Sequence, residues 1–112
     1  MTAADFRKIA LSLPEAIESE HMAHPDFRVG GKIFATLGYP DQEHGMVNLP
    51  LEEQARRVRD HPKIFSPAKG AWGRSGSTLV RLELIDRATL QSVMKTAWRK
   101  RAPERLTSGR MA

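Results

Sequence analysis

The chain has 112 residues, 40% of them hydrophobic and 28% charged, with no cysteine and a formal net charge of +5. That length suits one domain with its own core, the composition is that of a folded chain, and the missing cysteine excludes disulfides and thiolate metal sites. No apolar run approaches the roughly 20 residues of a membrane span, and Met1-Thr2-Ala3-Ala4-Asp5-Phe6 lacks a leader's basic and apolar regions, so a cytoplasmic protein without membrane contact is expected.

Thr2 followed by Asp5 makes a capping box with Asp in place of the commoner Glu. Phe6, Ile9, Ala10 and Leu13 follow at helical spacing, and Pro14 stops the first helix. Residues 16–22 alternate weakly and read as an edge strand, whose Glu18 and Glu20 discourage pairing with a foreign strand. Residues 26–29 and 32–37 flank Gly30-Gly31, and two glycines between β-favouring runs predict a type I′ hairpin. Simple alternation sends Ile33, Ala35 and Leu37 to one face and Lys32, Phe34 and Thr36 to the other. Residues 38–44 form a loop around Pro40-Asp41, and residues 45–49 a further short strand.

Pro50 fits the start of a second helix with Leu51, Ala55 and Val58 inward and Arg56, Arg57 and Arg59 outward. Glu52/Arg56 and Glu53/Arg57 are i, i+4 pairs in the favourable order, so the arginine cluster reads better as a salt-bridged solvent face than as a phosphate grip. Residues 65–77, rich in Gly, Ser and Pro, are expected to be a loop containing Trp72. In residues 78–84, Thr78, Val80, Leu82 and Leu84 point inward. Asp86 caps a third helix with the inner stripe Leu90, Val93, Met94, Ala97 and Trp98, closed by Pro103. The expected architecture is α+β in the order α-β-β-β-β-α-β-α: an antiparallel sheet with helices packed on one face. Residues 1–103 form the single domain, and residues 104–112 a flexible tail.

Little catalytic chemistry is legible. His21 and His24 are three apart at a strand end and turn, while His44 and His61 lie in separate loops, so no metal site is expected. There is no nucleophile motif, and Ser66, Ser75 and Ser77 sit where turns favour serine. Gly70, Gly73 and Gly76 precede a strand instead of a helix and do not make a phosphate loop. A non-enzymatic protein without cofactor or metal is expected.

The positive charge is unevenly placed. Arg99, Lys100, Arg101, Arg105 and Arg110 face only Glu104 in the last stretch, leaving the rest nearly neutral. Such an end either holds phosphates or solubilises the chain. Arg28 and Lys32 flank the Gly30-Gly31 turn, and Lys69 and Arg74 flank Trp72. Cationic loops of this kind can follow a phosphate backbone, and Trp72 either stacks on an unpaired base or plugs the core edge.

These residues also carry a resemblance. His24-Pro25-Asp26-Phe27-Arg28-Val29-Gly30-Gly31-Lys32-Ile33-Phe34-Ala35 resembles the signature segment of MmcQ/YjbR-like proteins, with Leu13-Pro14 similar to that family's start. Phe65-Ser66-Pro67-Ala68, Gly70-Ala71-Trp72-Gly73-Arg74 and the strand after them look like its second signature, although Ser77 stands where many members carry a large aromatic or apolar residue. Ala97-Trp98-Arg99 before Ala102-Pro103 is similar to its terminal helix. The resemblance implies a frataxin-like (CyaY-like) fold and a double-wing DNA-binding role, with no catalytic residues. Frataxin's acidic iron-binding ridge is not reproduced, since the first helix carries only Asp5 and, just beyond, Glu15. The expected function is DNA binding of low sequence specificity through Arg28, Lys32, Lys69, Trp72, Arg74, Arg99, Lys100 and Arg101. The alternative is a protein- or small-ligand-binding module with no nucleic-acid role.

Overall fold

The computed structural model describes residues 1–107. Its elements are α1 (Ala3–Leu11), β1 (Ile17–His21), β2 (His24–Val29), β3 (Lys32–Leu37), β4 (His44–Asn48), α2 (Leu51–Asp60), β5 (Phe65–Pro67), α3 (Gly70–Arg74), β6 (Ser77–Arg81), α4 (Arg87–Arg101) and α5 (Glu104–Thr107). The strands form one six-stranded sheet in the order β1-β2-β3-β4-β6-β5, every neighbouring pair antiparallel. No helix among the described residues is long and apolar enough to cross a membrane.

Local chemistry sets the element ends. The Thr2 hydroxyl accepts from Asp5 N and the Asp5 carboxylate from Thr2 N, closing the capping box on α1. Asp86 accepts from Thr89 N at 2.7 Å and starts α4. Gly30 and Gly31 both take positive φ, 58° and 79°, as the β2–β3 turn requires.

Three helices cover one face of the sheet. Arg7 of α1 bonds Glu18 of β1, Gln54 of α2 reaches Thr78 of β6, and α4 packs on β3 and β4. Beneath them Phe27, Ala35, Val47, Val80 and Phe65 meet Phe6, Leu90, Val93, Met94 and Trp98 in one apolar core. The Trp98 indole N–H donates to the Pro14 carbonyl, tying α4 to the turn after α1.

The sheet departs from simple alternation at Phe34. Phe27 pairs with Ala35 and Arg28 with Ile33, so Phe34 has no counterpart on β2. The bulge turns Phe34 to the helix side beside Ala35, fully buried, and sends Ile33 to the opposite face. The expected division of β3 is corrected accordingly.

Four other expectations change. Residues 65–77 are not a loop: Phe65 pairs with Val80 and Pro67 with Thr78 on the sheet edge, where proline is tolerated, and a short helix follows. The element order is therefore α-β-β-β-β-α-β-α-β-α-α. On α2 the inward side chains are Gln54 and, in part, Val58, whereas Leu51 and Ala55 are exposed. Leu84 lies beyond the end of β6 in a turn, where its amide donates to Arg81 O, and it is exposed. Residues 104–107, expected in the tail, form a helical turn in which Arg105 holds Glu15 at 2.6 and 2.8 Å. The remainder of that tail lies outside the described residues.

Candidate nucleic-acid interface

The two glycine-containing segments and the end of α4 meet at one end of the molecule. A Cβ on Gly30 would lie 3.0 Å from Pro103 Cδ, so the hairpin tip packs against the residues following α4. Lys100 Nζ donates to Leu49 O at 2.9 Å and Ser75 O at 3.1 Å, binding the last turn of α4 to the chain after β4 and after α3. Gly73 makes α3 possible: a Cβ there would sit 1.9 Å from Ala68 O, so the turn closes on its own entry only with glycine. Gln54 clasps the same segment, its buried amide donating toward Gly73 O, Ser77 O and Thr78 Oγ1 at 3.0, 3.1 and 3.1 Å.

The eight residues singled out from the sequence fare differently there. Lys32, Lys69, Arg74 and Arg99 are exposed, with no ion-pair partner among the described residues. Arg28 is committed: Nε and Nη2 donate to the two carboxylate oxygens of Asp26 at 2.8 and 3.0 Å. Asp26 is fully buried, and His21 Nδ1 also donates to it at 2.7 Å. The Arg28 guanidinium, helped by His21, holds the Asp26 carboxyl below the usual carboxylate range despite burial. Lys100 is spent on two carbonyls, and burial together with neighbouring Arg101 lowers its pKa. Arg101 is half-buried and turns into a pocket. Trp72 is 47% exposed and packs edge-on against Tyr39, ring centroids 5.6 Å apart. It is neither a core plug nor a free platform.

The pocket, of ≈ 320 Å³, opens on the sheet face that the three long helices leave bare. Ile33, Thr36, Met46 and Asn48 line it from the strands, together with Tyr39, Trp72 and Arg101. Sequence reasoning missed all of these except Trp72 and Arg101. One signal was present: Asn48 is a poor strand former within a strand, which suggests a side chain kept for something other than packing. Among the described residues no group of three or more His, Asp or Glu is placed to hold a metal ion.

No curated protein matches the chain. Among solved structures, the crystal structure of the Deinococcus radiodurans protein DR2400, which carries a DUF419 domain, is similar with a TM-score of 0.74. The match covers 87% of this chain and 75% of that one at 16% identity, a likeness of fold alone. A family model described as YjbR matches residues 11–100, a span that takes in the whole sheet, α3 and all but the last residue of α4. On that match the chain belongs to the YjbR family.

Proposed function

We propose that this protein is a non-catalytic nucleic-acid-binding module of low sequence specificity, with DNA as the expected polymer. The observation that carries the reading is the convergence at one end of the Gly30-Gly31 hairpin, the α3 segment and the last turn of α4, with Lys32, Lys69, Arg74 and Arg99 left exposed and unpaired among the described residues. Phosphates then lie on these four side chains, and the exposed half of Trp72, held edge-on by Tyr39, adds contact to a base. The frataxin-like, double-wing description belongs to the same proposal, the hairpin and the β5–α3–β6 segment being the wings.

Arg28 and Lys100 are not counted among the phosphate contacts, because their charges already serve Asp26 and two backbone carbonyls. Four contacts give a log–log salt slope of about −3.6 on duplex DNA, with Kd around 10⁻⁴ to 10⁻⁶ M at physiological salt. Fluorescence anisotropy of labelled DNA across a salt series tests this. The paired Lys69→Ala and Arg74→Ala changes are expected to reduce the slope by about two. No binding at low salt, or a slope unmoved by the double variant, overturns the proposal.

A further inference from the structure

We infer that the pocket on the bare sheet face receives one unpaired base of a strand whose phosphates lie on Lys69, Arg74 and their neighbours; this rests on the reading above. At ≈ 320 Å³ the pocket stands at the low end of ligand sites, with room for a single heterocycle. Apolar Ile33 and Met46 line it together with Tyr39 and Trp72, and because those two rings meet edge to face at 69°, one of them can offer its face to a planar heterocycle.

Two polar atoms mark the site as more than an apolar dent. Asn48 is nine-tenths buried and its Oδ1 has no hydrogen-bond partner; the buried Nε of Arg101 has none either. Both side chains line this pocket. Buried polar groups are nearly always satisfied, so a vacant acceptor and a vacant donor on one cavity point to a ligand that supplies both. The edge of a nucleobase carries donors and acceptors side by side. The Asn48 amide otherwise makes only a long 3.4 Å bond to Ser77 Oγ, which leaves it free to turn toward such an edge. Charge favours a strand as the source of the base. No Asp or Glu lines the pocket, Arg101 does, and Lys69 and Arg74 flank Trp72 along the chain.

The bases of a duplex are paired and stacked, so they cannot enter without being extruded. Anisotropy titrations therefore compare a labelled single strand, the same strand as duplex, and a strand of equal length made of abasic units. The single strand is expected to bind about tenfold or more tightly than the abasic strand, and more tightly than duplex at equal salt. It also quenches Trp72 emission, a signal that Trp72→Ala removes, because Trp98 lies inside the core. Trp72→Ala and Asn48→Ala, each checked for an unchanged circular dichroism spectrum, bring the single strand down to the abasic level. Met46→Trp, which fills the pocket and removes no charge, is expected to do the same. Equal affinity for all three polymers, unaffected by these variants, overturns the base pocket while leaving phosphate binding intact. Binding to none of them at low salt removes the nucleic-acid reading itself.

Discussion

Replacing Gln54 with methionine keeps the shape of the side chain and removes only its donors. In the wild type the buried Nε2 lies 3.0 to 3.1 Å from Gly73 O, Ser77 O and Thr78 Oγ1, two N–H groups shared among three acceptors. Thr78 Oγ1 in turn donates to Gly76 O at 2.9 Å, so one amide organises the segment that holds Trp72. Losing two hydrogen bonds worth about 1 kcal/mol each, and leaving buried carbonyls unpaired, costs about 2–3 kcal/mol. In a domain of this size each kcal/mol moves Tm by about 4 °C, so Gln54→Met is expected to melt about 10 °C lower by circular dichroism. Gln54→Glu separates donor loss from shape further. Its carboxylate would face three acceptors, which raises its pKa in the folded state; it is less stable than the methionine variant at neutral pH and recovers as falling pH protonates it. A methionine variant melting within a degree or two of wild type would refute the claim that this amide holds the α3–β6 segment in place.

Four further outcomes follow. Phe34→Ala is expected to cost about 3–5 kcal/mol, because the bulge places that ring in the core; urea unfolding checks it, and a loss below about 1 kcal/mol would return Phe34 to the open face. Asp26→Asn is expected to destabilise by about 1–2 kcal/mol near neutral pH, a figure held down because Arg28 and His21 are partly solvated. Since the Asp26 pKa is lowered on folding, the wild-type advantage is complete above the usual carboxylate value, about 3.9, and disappears as pH falls through the lower folded value. An advantage independent of pH would contradict the pairing. Lys100→Ala lowers Tm, measured by calorimetry, whereas Lys69→Ala leaves it within about 1 °C, because only Lys100 fastens Leu49 and Ser75. Gly73→Ala is expected to abolish soluble folded protein, its Cβ being 1.9 Å from a backbone oxygen; an ordinary melting curve would show that α3 can shift to admit it.

What could be read from the sequence was chemistry confined to neighbouring residues. The Thr2–Asp5 box, the Gly30-Gly31 turn, the Asp86 cap and the Leu90–Trp98 stripe each act over one or two turns of chain, and each is in place. What could not be read depends on contacts distant in sequence. Phe34 reaches the core because the β2–β3 register passes it over, from Phe27–Ala35 to Arg28–Ile33, which no single-strand alternation records. Five residues of α3 are too few to establish a period, and its closure depends on Gly73 meeting Ala68. Gln54 occupies an inward helical position because its acceptors arrive from residues 73–78, and Leu51 appeared apolar enough to take that place. The same holds at the interface. The cationic residues were visible as types, but only the fold distinguishes Arg28 and Lys100, which are internally bonded, from Lys69 and Arg74, which are not. The pocket joins β3, β4, α3 and α4, so its residues have no common signature in one dimension.

The most direct measurement is a ¹H–¹⁵N spectrum recorded while a short single-stranded oligonucleotide is titrated in at low salt. A base seated in the pocket shifts the Trp72 indole, the Asn48 side-chain amide, Ile33, Arg101 and the backbone of residues 69–74. Shifts absent, or gathered instead on α2 and the outer face of β5, would contradict it.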